Sequence, residues 1–149
     1  MATSRYFDAT DAVISMLKGA GLTVWDGPIF TEDYSDCVFV GYDGDPENPP
    51  VAATLSQEWE GIGAKARRED INIVCAVVAT SGEQAIKITR DKAKQILATV
   101  ETTLRADPSL GMTPPPFWAG VQPLSVHPES FQDGTVVRIV FQIVIRTRV

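Results

Sequence analysis

The chain has 149 residues, 44% hydrophobic and 21% charged, which suits one domain (1–149) with a real core and argues against wholesale disorder. A formal net charge of −6 argues against a protein whose main task is gripping nucleic-acid phosphates, because that task leaves a clustered basic excess. No apolar run reaches the roughly 20 residues of a membrane helix, and the opening MATSRYFDATD has no apolar signal core, so the protein is expected to begin there and to stay in the cytosol.

The first predicted element is a helix from about Asp8 to Ala20, where Val13, Met16, Leu17 and Ala20 form one apolar stripe. Asp8 or Thr10 is placed to cap it, and Gly21 to end it in the left-handed conformation. Leu22–Trp25 then reads as a short strand closed by the Asp26-Gly27-Pro28 turn. Asp36–Tyr42 is a second strand, followed by a turn-rich loop from Asp43 to Pro50. A third extended run, Ala52–Trp59, leads into Gly61-Ile62-Gly63-Ala64-Lys65-Ala66-Arg67-Arg68. Asp70–Thr80 is apolar on both parities, which predicts a strand covered on both faces.

Ser81-Gly82-Glu83-Gln84 has capping-box spacing before a long helix whose stripe is Ile86, Ala93, Ile96, Leu97, Val100 and Leu104. Pro108 should stop it, and Met112 to Pro116 reads as an extended connector. A strand from Phe117 to Val126 and a turn at Gln132-Asp133-Gly134 precede the final strand. There Val137, Ile139, Phe141, Ile143 and Ile145 share one face, while Arg138, Gln142 and Arg146 share the other with aliphatic residues. Two helices cannot cover both faces of such a sheet. The expected fold is therefore α+β in two layers, a mixed, mainly antiparallel sheet of about five strands with both helices on one face.

Familiar catalytic signatures fail on spacing. Gly61-Ile62-Gly63-Ala64-Lys65-Ala66 matches a dinucleotide fingerprint on paper, but the strand starting near Asp70 leaves no room for the helix that motif needs. Asp43, Asp45 and Glu47 have calcium-loop spacing, yet Asn48 and Thr54 occupy the positions where Gly and an acid are required. His127 is the sole histidine and reads as an exposed loop residue, with no zinc partners spaced around it. Cys37 and Cys75 sit inside apolar strands, the setting of buried reduced thiols. No catalytic residue, metal site or cofactor is expected. Trp25, Trp59 and Trp118 remain, the latter two as interface anchors or core filling.

The string Ser35-Asp36-Cys37-Val38-Phe39-Val40-Gly41-Tyr42-Asp43-Gly44-Asp45-Pro46 resembles a segment of tail-terminator (minor tail) proteins from long-tailed phages of actinobacteria. Gln57-Glu58-Trp59 with its Gly/Arg loop, Leu104-Arg105-Ala106-Asp107-Pro108 and Phe117-Trp118-Ala119-Gly120-Val121 continue the likeness in order, over nearly the whole chain. The resemblance implies a fold like that of tail-tube subunits and a homo-hexameric ring that caps the tail tube, ends its polymerisation and docks the head–tail connector. DNA would pass through without specific binding, and the protein would end in the virion at the head-proximal end of the tail, after assembly in the host cytoplasm.

Expected interface residues are Trp59, Gly61, Gly63, Lys65, Arg67 and Arg68 around the hairpin, Asp43 and Asp45 in the long loop, and Trp118, Arg138, Gln142 and Arg146. The 43–51 loop and the 60–69 hairpin tip are expected to form one patch together. Alternatives are a head–tail connector or head-closure protein, and a small cytosolic ligand-binding domain. A hydrolase would need His127 set against a nucleophile.

Overall fold

A computed structural model describes residues 3–29, 36–61 and 66–149 of the protein. In chain order the elements are α1 (Tyr6–Gly19), β1 (Val24–Asp26), β2 (Cys37–Val40), β3 (Ala53–Trp59), β4 (Arg67–Ser81), α2 (Ile86–Ala106), β5 (Trp118–Phe131) and β6 (Gly134–Arg148). All six strands join one sheet, matching the six extended runs read from the sequence, and only the β1–β2 pairing is parallel.

The long strand β4 organises the sheet. One edge is shared: β2 pairs with its Cys75–Val78 stretch and β3 with Arg67–Ile73. Along the other edge lies β6, paired from Arg68 to Ser81, and β5 forms the outer strand beyond it. Odd-numbered residues of β4 and β6 face the helices, where Ile71, Ile73, Val77, Phe141 and Ile143 pack with Val13 and Leu17 of α1 and Val100 and Leu104 of α2. Both helices therefore lie on one face, as the two-layer reading expected. On the opposite face Cys37, Phe39, Tyr42, Ala76 and Val78 make a second, smaller core. Double burial of β4 is thus confined to its second half.

The helix ends depart from the sequence reading. Helix α1 starts at Tyr6, before Asp8 or Thr10 can cap it. Arg5 holds the cap position, and the Glu69 carboxylate accepts its backbone N–H at 2.8 Å. Gly21 does take the left-handed conformation, at φ +88°. The Ser81 capping box is not used: α2 begins at Ile86 with Ala85 as its uncapped N-cap. Ser81 is still in β4 and accepts the Glu83 N–H, while Gln84 donates to the carbonyls of Phe131 and Gln132 in the β5–β6 turn.

Strand β5 runs to Phe131, past Pro123 and Pro128, and bulges between Pro123 and Ser125. An outer strand tolerates those prolines because its free edge needs no N–H. Prolines on an open edge also hinder stray pairing with another chain.

Both cysteines are buried outside any disulfide, Cys37 on the helix-free side and Cys75 on the helix side. Burial pushes the Cys75 thiol up to about 12, against smaller lowering pulls from the backbone of Gly41 and Ile143. Thiolates, not thiols, attack disulfide reagents. Native protein at pH 8 should therefore leave Cys75 unmodified by Ellman's reagent until denaturant is added. Because the folded thiol ionises later than the unfolded one, this group's contribution to stability is whole below about 9 and is lost as pH rises toward 12. Rapid native labelling of Cys75 would mean that the core opens far more readily than its packing implies.

Candidate interaction surface

The sheet is built differently at its two ends, and at the first of them both faces carry exposed aromatics and arginines. At the first end, register gathers arginines and exposed aromatics from four strands. On the helix side, Trp59 of β3 stands across from Arg67 of β4, whose guanidinium lies 5.3 Å from the indole centroid and also donates to Gln57 and the Thr3 carbonyl. On the helix-free side, Trp118 of β5 stands across from Arg146 of β6, at 5.8 Å. Arg148 lies 5.5 Å from the Phe117 ring and also pairs with Glu60 at 2.8 Å. Arg68 lies across from Arg148 on one side and Glu58 on the other. The Trp118 indole folds over Gly120, where a Cβ would come within 2.6 Å of it.

These aromatics are exposed: Trp59 by 64%, Phe117 by 57% and Trp118 by 50%. Clustered exposed aromatics stacked with arginine are the composition of a protein–protein contact, in which both residue types are enriched. Stacking holds each guanidinium in place and reduces the entropy it would lose on contact.

At the second end, the loop after β2 folds over β4 and β6. Gly44 sits at φ +77° with its Cα against the stem of Arg138; a Cβ there would meet Arg138 Cδ at 2.8 Å. Arg138 Nη1 donates to the Asp43 carbonyl at 2.6 Å. The acidic loop residues serve its turns: Asp43 accepts the Asp45 N–H at 2.9 Å, and Asp45 accepts from the Glu47 N–H and the Asn48 amide. Among the described residues no three His, Cys, Asp or Glu side chains are gathered to hold a metal ion.

Between this loop and the far half of the β5–β6 hairpin is an open cavity of about 690 Å³. Phe39, Tyr42, Val78 and Val136 form its apolar floor, and Asp45, Glu47, Glu129 and Arg138 stand among its lining. His127 belongs here as well. It lies in strand β5, not in a loop, because the strand continues past Pro128, and its Nε2 is 2.9 Å from Ser125 Oγ.

Of the residues expected at an interface, Trp59, Gly61, Arg67, Arg68, Trp118 and Arg146 fall at the first end. Asp43, Asp45 and Arg138 fall at the second, and half-buried Gln142 lies between, across from Val74 and Gln122. Gly63 and Lys65 lie outside the described residues. The 43–51 loop and the described flanks of the hairpin therefore lie at opposite ends of the sheet, and the tip itself, 62–65, lies outside the described residues. Arg138 and Arg148 are ten residues apart on β6, roughly 33 Å at strand spacing. Phe117, Arg148, Glu129 and Phe131 were not singled out from sequence. Arg148 continues the period-two face of Arg146 and was legible there; the others needed the hairpin register.

None of the described helices is long and apolar enough to cross a membrane. Compared with known proteins, the chain matches no family model and no curated protein. Among solved structures it is similar to a chain of the virion of a native gene transfer agent particle, at TM-score 0.45 and 12% identity, over 92% of this chain and 93% of that one.

Proposed function

We propose that the protein is a virion structural subunit, a tail terminator that closes as a homo-hexameric ring on the tail tube, ends its growth and docks the head–tail connector. The observation that carries this reading is the arginine–aromatic end of the sheet, a surface composed for protein contact, on a chain that also exposes Val126 and Phe131 along the outer strand. The ordered resemblance along nearly the whole sequence gives the kind of assembly. In this reading the protein performs no chemical step and takes no cofactor. Its net charge of −6 suits a channel through which DNA slides without sticking.

Light scattering and negative-stain images of purified protein mixed with tail tubes test the proposal. The expected result is a six-subunit ring seated at one end of each tube, with tube length arrested. Protein scattered along tube walls, or absent from their ends, would overturn it. A head-closure protein would instead bind the isolated connector and ignore bare tubes.

The cavity of about 690 Å³ favours a second reading, a ligand-binding domain, since its size lies in the range of small-molecule sites. That reading requires a monomer whose melting temperature rises with a small ligand.

A further inference from the structure

We propose that the open groove between the loop after β2 and the far half of the β5–β6 hairpin binds a small organic cation with a flat apolar body, of the amine, amidine or guanidine class. This names the ligand of the second reading above and rests on that reading for the protein's role, but the charge and shape of the lining set the class.

The floor of the groove is apolar, made by Phe39, Tyr42, Val78 and Val136. Phe39 and Tyr42 meet edge to face with ring centroids 5.3 Å apart. Phe131, 53% exposed, adds a third ring from the hairpin side. The negative face of an aromatic ring attracts a cation and repels an anion.

The charges of the lining favour the same sign. Asp45 and Glu47 come from the loop and Glu129 from the hairpin, so carboxylates stand on both walls. Asp45 is committed to the turns of its loop, accepting the Glu47 N–H and the Asn48 amide. Glu47 and Glu129 are exposed, and their carboxylates have no hydrogen-bond or ion-pair partner among the described residues. Arg138, the one arginine or lysine among the described lining residues, is drawn away from them. Its stem is pressed against Gly44, and its Nη1 donates to the Asp43 carbonyl at 2.6 Å.

A bare metal ion does not suit this arrangement. Among the described residues no three His, Cys, Asp or Glu side chains are gathered around one point. A lone ion would also leave the aromatic floor uncovered. A volume of about 690 Å³ instead holds a charge carried on an apolar body, with the body on the floor and the charge between the two glutamates.

Benzamidinium, benzamide and benzoate share one shape and differ in charge, which makes them the probes. They are titrated into the full chain, carrying labelled valine methyls, and followed by NMR. Benzamidinium should bind with a Kd of about 1 mM or tighter. It should shift the Val78 and Val136 methyls and leave Val126, on the helix side of β5, unmoved. Benzamide and benzoate should each bind at least about 10-fold more weakly. In E47Q/E129Q, shown to be folded by circular dichroism, benzamidinium should weaken by about 10-fold while benzamide is unchanged.

Equal affinity for the three probes would overturn the proposal, as would benzamidinium binding that survives E47Q/E129Q unaltered. Preference for benzoate would overturn the class and leave a small-molecule site standing. A capped Gly-Arg-Gly peptide that binds more tightly than benzamidinium would transfer the groove to a protein side chain and also overturn it. Light scattering decides the second reading separately. A six-subunit ring that still takes benzamidinium between Glu47 and Glu129 would sink that reading and keep the site.

Discussion

Replacing Gly134 with alanine should lower stability by about 3 kcal/mol or more, a drop in melting temperature of roughly 6–12 °C at this chain length. Gly134 opens β6 at φ +152°, and a Cβ placed there would sit 2.0 Å from the Ser81 carbonyl oxygen and 3.0 Å from Gly82 Cα. Both obstacles are backbone, so no rotamer change relieves them.

Nor can the turn slide away. Gln84 ties the carbonyls of Phe131 and Gln132 to the start of α2, and Thr135 donates to the Glu83 carbonyl. Gly111→Ala is the control. Gly111 also has a positive φ, +67°, but nothing lies within 4 Å of its would-be Cβ. It should lose only the backbone term of about 1–2 kcal/mol. Thermal melts of both variants by far-ultraviolet circular dichroism separate clash from strain. Equal losses would mean that the β5–β6 turn yields to accommodate the methyl.

The same crowded junction explains where sequence reasoning stopped. The apolar face of β6 is legible because every odd position from Val137 to Ile145 is buried, and period two leaves no second interpretation. The stripe of α2 was partly legible. Ala93, Val100 and Leu104 are buried, but so is Thr89, whose hydroxyl is matched by that of Thr135 across the interface. A polar residue in a core stripe looks like surface until its partner is known.

The capping box failed for a related reason. Ser81 and Gln84 have the right identities and spacing, but the long strand β4 claims the first and the distant hairpin claims the second. Pro123 and Pro128 hid the length of β5, since a proline argues against a strand only where its neighbour needs the N–H.

The interaction surface was legible in its residue types and not in its grouping. Trp59, Trp118 and the C-terminal arginines stand out by chemistry alone. Their assembly depends on register: Ala53 pairs with Ile73 and Trp59 with Arg67, which carries the β3–β4 hairpin to the end of the sheet far from the 43–51 loop. A shift of pairing along β4 would place the same residues elsewhere without changing any local pattern. The groove draws on β2, the loop after it, β4, β5 and β6, so no single stretch of sequence announces it.

Glu69→Ala should cost about 2–4 kcal/mol. Glu69 is fully buried, at 0% exposure, and three uncharged donors converge on it. Its Oε1 accepts the Arg5 N–H at 2.8 Å; its Oε2 accepts the Ser4 hydroxyl at 2.6 Å and the Gln57 amide at 2.7 Å. Arg5, just before α1, then reaches Thr147 at 2.7 Å and the Pro114 carbonyl at 2.6 Å. One carboxylate thus joins the start of α1 to β3 and β4, and through Arg5 to the end of β6. Removing it leaves three donors without their acceptor, which costs more than the bonds contributed net.

Glu69→Gln keeps the shape but turns an amide N–H toward donors, so it should recover only part of the loss. Glu58→Ala, at an exposed position on the neighbouring strand, should change stability by no more than about 0.5 kcal/mol. Denaturant melts rank the three variants, and amide exchange locates the damage in the first turn of α1 for Glu69→Ala. If Glu69→Ala matched Glu58→Ala, packing of Val13 and Leu17 alone would hold α1 on the sheet, and the buried carboxylate would contribute nothing measurable to it.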